Sequence, residues 1–365
     1  MTERNLALDV LRGMTVALMI VVNTPGDPST TFAPLLHATW HGFTPTDWVF
    51  PTFLFVVGAA LSITLPKYQD DRAFLRKVLW RTGLIFLLGY LMYWFPFVHR
   101  ADAGWALNPI GETRIFGVLQ RIALGYGLAA VIIRFGKERG ALAFSVLALL
   151  GYWAALSVWG DYSLTGNAVL RLDRFLLGEP HLYHGEGIAF DPEGILSTLP
   201  AVVNAIAGYF AGRLVQRKGS GYETIARLML VGAALIGGAL CWNAVLPINK
   251  KIWTSSFVLL TVGLDLAVLA ALIFVIDVER RRRWTYFFEV FGKNTLFIYL
   301  LSELGVSLLL TVRSGDRSLY QAIDRGVFEP VAGGYLGSLL FALSWMLVCW
   351  LGGYWLDRRR IYIRV

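Results

Sequence analysis

The sequence predicts an all-α, polytopic membrane protein with about ten transmembrane helices and both termini in the cytoplasm. Three observations carry this reading. Of the 365 residues, 56% are hydrophobic and only 16% are charged, whereas soluble domains sit nearer roughly 45–50% and 25%. Apolar runs long enough to cross a bilayer as helices recur along the whole chain. Lys and Arg gather in alternate loops between those runs.

The first predicted span covers 6–22, and Asp9 and Arg12, three apart, can pair near its start. No convincing small-residue cleavage site follows it, so it reads as a retained helix rather than a removed signal peptide. The second, 48–65, ends at Pro66 and the polar run KYQDDRAFLRK. The third and fourth are 79–97 and 115–133, separated by a polar loop holding His99 and Arg114. RFGKERG then divides the fourth from a fifth at 141–159. The longest polar interval, 160–194, precedes a sixth span at 195–212. The remaining four are 228–245, 257–276, 286–310 and 336–356, broken by RLVQRKGSGYETIAR before the first of them and by DVERRRRW before the third.

Charge orients the chain. The loops after the even-numbered spans hold Lys67, Arg76, Lys77, Arg134, Lys137, Arg139, Arg217, Lys218 and Arg280 to Arg283, and the tail adds Arg358 to Arg360. The alternate set is poorer in cations, with none in the first loop, 23–47, and with Lys250 and Lys251 in a later one. The rich set is therefore assigned to the cytoplasm. The net charge of +8 belongs to those loops, on an anionic leaflet, and is not a nucleic-acid signal. Cys241 and Cys349 lie within apolar runs, which argues against a disulfide or a Cys-based metal site. The whole chain, 1–365, reads as one transmembrane domain, with the loops 23–47 and 160–194 forming a site on the outer face.

The loop NTPGDPSTTFAPLLHATWHGFTPTDWVFP holds two histidines, His37 and His41, with Asn23, Asp27 and Asp47. Imidazole serves as base or nucleophile near neutrality, and His37 is the candidate reacting residue. The two histidines are four apart and would share one helical face, but no third ligand has suitable spacing, so no metal is expected. Asp47 either fixes the His37 tautomer or caps a helix beginning at Trp48, and the cap is the favoured role. His181, His184, Glu186, Asp191 and Glu193 form a second polar cluster, read either as a solvated loop or as a carboxylate-lined cup for a sugar or cation. Arg121 lies inside a predicted span, where a charge is costly. It either has a functional role or pairs with Glu303 or Asp265.

LDVLRG, HATWHGFTPTDWVFPTFLFVVG, LQRIALGY, FDPEGILSTLP, LPINKKIWTSSFVL and GKNTLFIYL occur in this order. Together they resemble the heparan-α-glucosaminide N-acetyltransferase family, especially its bacterial homologues linked to amino-sugar use. The resemblance implies a bacterial inner-membrane enzyme that moves an acetyl group from cytoplasmic acetyl-CoA to the amine of a glucosamine-type sugar on the periplasmic side. It assigns the family's active-site histidine to His37 and its helix-end asparagine to Asn23. Lysosomal members have an asparagine where this chain has His41, so no catalytic role is carried to His41. Those members also have a luminal N-terminal domain and an extra helix, and this chain is expected to have neither. A homodimer is implied by the resemblance alone.

Acetyl-CoA phosphates cannot enter hydrocarbon at tolerable cost, so the nucleotide is expected to stay at the basic face while the pantetheine arm reaches His37. Arg76, Lys77, Arg81, Arg121 and Lys293 are the candidates to hold phosphate or line that path. Trp40, His41, Glu186, Asp191 and Glu193 are the candidates to hold the acceptor. His37 either deprotonates the acceptor amine or carries the acetyl group transiently. An amino-sugar permease without acyl transfer is the alternative reading, and a membrane scaffold a third.

Overall fold

The computed structural model of the protein describes residues 5–101 and 104–363. It is a helical bundle with two short hairpins. In chain order the helices are α1 (Leu6–Asn23), α2 (Pro45–Thr64), α3 (Asp71–Trp94), α4 (Val118–Val158), α5 (Ala168–Leu177), α6 (Ile195–Lys218) and α7 (Tyr222–Trp242). They continue with α8 (Ser255–Ile273), α9 (Thr285–Lys293), α10 (Thr295–Thr311), α11 (Leu319–Ile323), α12 (Glu329–Ala332) and α13 (Gly334–Arg358). Strands β1 (Val98–Ala101) and β2 (Gly104–Leu107) pair antiparallel in the loop after α3. A second hairpin, β3 (Arg313–Ser314) with β4 (Arg317–Ser318), follows α10.

Among the described residues, seven helices are long and apolar enough to cross a membrane, or eight if α9 and α10 together form one span. Exposed Leu79, Leu147, Leu230 and Leu351 on α3, α4, α7 and α13 fit contact with lipid rather than water. The sequence-based count of ten differs for identifiable reasons. The third apolar run belongs to a longer helix, α3, whose first turns hold Asp71, Arg72, Arg76, Lys77 and Arg81 and lower its hydropathy. The fourth and fifth runs join into one helix of 41 residues. Straight, that helix would extend about 60 Å, twice a bilayer core. It is not straight: Lys137 leaves helical geometry, with φ 54° and ψ −168°. The ninth run bends by 82° between α9 and α10. Asn294, fully buried at that bend, accepts from the Ile363 amide at 2.9 Å and donates to the Ile361 carbonyl at 3.1 Å.

Close backbone approach sets the packing around α2. A β-carbon on Gly58 would come within 1.7 Å of the Ala205 carbonyl oxygen, and one on Gly208 within 1.8 Å of that of Phe55. Small residues let membrane helices approach this way. The interlocked α2 and α6 therefore form a rigid mast whose upper end carries the loops of interest.

The loops fall at two ends of the bundle. At one end the α1–α2 loop meets the loops before α5 and α8, through Trp40 to Tyr162 and Gly42 to Ile248, and the loop before α6 meets the loop before α4 through His181 to Thr113. At the other, Arg134 reaches the Tyr68 carbonyl, Glu138 pairs with Arg217, and Lys293 pairs with Asp357. The first end holds His37 and the second holds the loops rich in Lys and Arg.

Candidate functional site

The α1–α2 loop is folded onto the start of α2 by one carboxylate. Thr44 is the N-cap, Pro45 the first helical residue and Asp47 the third. Asp47 Oδ2 accepts from the Thr44 amide at 3.0 Å and from the Ala38 amide at 3.1 Å. Its other oxygen, Oδ1, lies 2.7 Å from His37 Nδ1. Helix capping and histidine orientation, set against each other from sequence, are thus done by two oxygens of one side chain. The helix also begins at Pro45 rather than Trp48, because Thr44 and Pro45 supply the start signal. The Asp47 side chain is 1% exposed and that of His37 42%. A buried carboxylate accepting from Nδ1 fixes the proton there and leaves Nε2 with its lone pair as the acceptor.

Lys250 completes the cluster. Its Nζ lies 3.1 Å from His37 Nδ1, 3.2 Å from Nε2 and 3.9 Å from Asp47 Oδ1. With Nδ1 donating to Asp47, the available contact for Lys250 is with Nε2. Burial pulls the Lys250 ammonium below the usual lysine range, although Asp47, Glu193 and Glu186 oppose that shift.

The turn that holds Lys250 is fixed from within. Buried Asn249 accepts from the Ile252 amide through Oδ1 at 3.0 Å, and its own amide donates to Thr254 Oγ1 at 3.0 Å. Its Nδ2 reaches His41 Nδ1 at 3.3 Å. Trp253, fully buried with φ 49°, donates through Nε1 to Asn204 Oδ1 at 3.1 Å. His41 therefore braces the lysine turn, and burial lowers its pKa, which favours neutral imidazole. The two histidines do not converge on one point: His37 turns to Asp47 and His41 to Asn249.

Around this centre the other candidate residues are distributed unevenly. Trp40 donates to the Tyr162 carbonyl at 2.7 Å and packs on Phe190. Glu186 binds Lys251, the neighbour of Lys250. Asp191 and Glu193 do not form an open acidic cup, because Arg114 occupies both. Its Nε and Nη2 meet the two Asp191 oxygens at 2.8 and 2.7 Å, and Nη2 meets Glu193 Oε2 at 2.6 Å. A guanidinium matches a carboxylate in this fork geometry. Burial works against the Arg114 charge, but these hydrogen bonds hold its pKa well above the ordinary value. Asn23, at the end of α1, donates to Glu303 of α10 at 3.4 Å.

Arg121 pairs with neither Glu303 nor Asp265. It is fully buried, and Nη2 donates to the carbonyls of Pro192 and Gly194 at 3.2 and 3.1 Å and to Ser197 Oγ at 2.5 Å. Its guanidinium stacks 5.0 Å from the Trp253 ring. It braces the FDPEG turn against the lysine turn, at the end opposite the basic loops. Asp265 instead accepts from Trp48 Nε1 at 2.8 Å and Thr52 Oγ1 at 2.6 Å on α2. Arg76 and Lys77 are exposed on α3, Arg81 stacks on Tyr126, and Lys293 is held by Asp357 at 3.0 Å. A cavity of about 700 Å³ at that basic end is lined by Arg134, Lys137, Arg139 and Arg213 rather than by those residues.

A profile described as the heparan-alpha-glucosaminide N-acetyltransferase catalytic domain matches residues 4–237. The chain belongs to that family. It is 28% identical over 361 residues to the human protein named heparan-alpha-glucosaminide N-acetyltransferase, covering 82% of this chain and 52% of the relative. The mouse protein of the same name is 27% identical over 359 residues, covering 81% and 53%. The chain thus spans about half the length of the curated relatives it matches. The matched segment includes His37, Asp47, Arg114 and Glu193, whereas Lys250 lies beyond it.

Sequence reasoning missed two residues of this site, Lys250 and Arg114. A usable signal existed for both, since each is a cation in the cation-poor set of loops.

Proposed function

We propose that the protein is a transmembrane N-acetyltransferase that moves an acetyl group from acetyl-CoA at the cytoplasmic face to the amine of a glucosamine-type sugar at the outer face. The observation that carries this reading is the half-exposed His37 imidazole, held through Nδ1 by buried Asp47 at 2.7 Å with Nε2 beside the Lys250 ammonium at 3.2 Å. It stands in a chain whose family relatives are named for N-acetyl transfer to a glucosaminide. Counting α3, the bent pair and the two halves of α4 separately brings the crossings to ten, which returns both termini to one side. The cavity lined by Arg134, Lys137, Arg139 and Arg213, with Glu138 against Arg213 and Asp71 against Arg134, keeps Lys137 and Arg139 for a polyanionic nucleotide and so supports its binding at the cytoplasmic end.

The acceptor arrives as an ammonium. Nε2 of His37 takes one of its protons, and the neutral amine attacks the thioester carbonyl. The C–N bond forms, the C–S bond breaks, and the leaving thiolate receives a proton from the imidazolium. The remaining N–H proton lost by the amine on forming the amide goes to solvent at the outer face. Alternatively Nε2 attacks first, thiolate leaves, and the amine then displaces the acetyl group from the ring. In both orders Asp47 holds the Nδ1 proton. Lys250, 3.2 Å from Nε2, is the side chain proposed to donate a hydrogen bond to the carbonyl oxygen as it gains charge, and Asn23, bound to Glu303, is a second candidate by family resemblance alone.

The test uses purified, reconstituted protein with labelled acetyl-CoA and glucosamine. Acetylated sugar forms with the wild type, and His37→Ala lowers the rate by about 10²–10⁴-fold, the usual range for a lost acid–base group, while acetyl-CoA binding persists. Absence of product under conditions where acetyl-CoA binds rejects the reading for that acceptor. Transport of labelled amino sugar into vesicles without any acyl donor favours a permease. Label retained on the wild type but not on His37→Ala, before acceptor is added, selects the covalent order.

A further inference from the structure

A second cavity opens at the His37 end, on the far side of the loop before α6. Its volume is about 360 Å³, toward the small end of the range of about 300–1,000 Å³ typical of ligand sites, which suits one ring rather than a chain. The walls include Tyr93, Trp94, Glu112, Arg114, Tyr183 and His184. Trp94 is held by donation from Nε1 to the Asn108 carbonyl at 2.9 Å. Arg114 is stacked between the Tyr93 and Tyr183 rings, at 4.9 and 4.7 Å.

The charge of this cavity is readable. The Arg114 fork is filled by Asp191 and Glu193, and Nη1 has only the Tyr93 hydroxyl, at 3.4 Å. Glu112 is exposed and, among the described residues, has no ion-pair partner. Among the described residues, Glu112 is thus the lining carboxylate without a cation, in an aromatic surround, which suits a ring carrying an ammonium: the charge pairs with Glu112 and lies over aromatic faces. A ring bearing a carboxylate would meet Glu112 as a like charge and would find the guanidinium taken.

This cavity shares a wall with the reaction centre. The Tyr183 carbonyl accepts from the Phe190 amide at 2.9 Å, and Phe190 packs on Trp40, three residues beyond His37. His184 lines the cavity, and Glu186, two residues and at most about 7 Å of chain later, binds Lys251 beside Lys250.

We propose that the cavity is a second-ring subsite, so that the preferred acceptor is a short saccharide carrying an amino group on the ring next to the one acetylated, such as a glucosamine oligomer. This rests on the acetyltransferase reading for which ring reacts, but binding alone tests the subsite.

The experiment is calorimetric titration of the purified full chain with glucosamine, with the glucosamine disaccharide, and with a glucosamine disaccharide whose second ring is a uronate. The expected result is at least tenfold tighter binding of the diamino disaccharide than of the monosaccharide, with no such gain for the uronate form. In Glu112→Gln and in Trp94→Phe, both mild enough to keep the fold, the ratio of the two affinities falls toward one. Equal binding of mono- and disaccharide, preference for the uronate form, or a ratio untouched by both substitutions overturns the subsite. Tight disaccharide binding without acetyl transfer to any glucosamine acceptor supports the subsite while rejecting the enzymatic reading.

Discussion

At the scale of single residues, the site turns on the contact between a lysine and a histidine. The Lys250 ammonium lies 3.2 Å from His37 Nε2 and 3.9 Å from Asp47 Oδ1. Lys250→Met removes that ammonium with little change in side-chain length. A hydrogen-bond donor at the reaction centre is then lost, and kcat should fall by about 10²–10³-fold. An unchanged kcat in a folded Lys250→Met protein argues against a role for Lys250 in the reaction. The residues differ in how legible they were in the sequence. His37 and Asp47 lie ten positions apart in one polar loop, so their partnership could be weighed from sequence, although the single carboxylate serving both roles could not. Lys250 reaches His37 across 213 positions, and spacing along the chain carries no trace of such a contact.

At the scale of elements, the start of α6 is held by a buried carboxylate from α5. Asp173 of α5 is fully buried, and its Oδ1 accepts from the Ile195 amide at 2.9 Å. Its Oδ2 has no hydrogen-bond partner among the described residues. A β-carbon on Gly194 would lie 1.7 Å from that oxygen, so glycine is required there. Burial raises the Asp173 pKa from 3.8 to about 7. The folded state therefore binds the extra proton between those values. The stability this contributes is complete at the acid end of the window and is lost as pH rises through about 7. Asp173→Asn mimics the protonated form. Relative to this variant, the wild type should lose stability between about pH 4 and 7, levelling off above that, with a slope of up to about 1.4 kcal/mol per pH unit. Thermal unfolding of both proteins in detergent across that range checks it, and a pH-independent difference refutes it. The sequence placed most helices within a few residues, because apolar runs dominate their energetics in lipid. It missed the continuity of α4, the 82° bend at Asn294 and the length of α3, which depend on contacts between elements.

At the scale of the whole molecule, the argument is about sides. Acetyl transfer across a membrane requires the donor's phosphates and the acceptor amine to approach from opposite faces, since neither charge crosses hydrocarbon cheaply. The loops that meet around His37 lie at the starts of α2 and α8, whereas Arg281 lies beyond the end of α8 and Arg134 and Lys137 sit at the break in the middle of α4. The excess of Lys and Arg at the second end is the ground for proposing that it faces the cytoplasm. Single-cysteine labelling tests this assignment, with exposed Cys241 first replaced by Ser and buried Cys349 retained. Ala33→Cys, exposed in the α1–α2 loop, should react with a membrane-impermeant maleimide on intact cells. Arg281→Cys replaces a side chain that is 75% exposed between α8 and α9, and it should react only after permeabilisation. The reverse pattern inverts the orientation and places the acceptor in the cytoplasm. Labelling of both from one side contradicts the crossing arrangement, and with it any mechanism that draws donor and acceptor from different compartments.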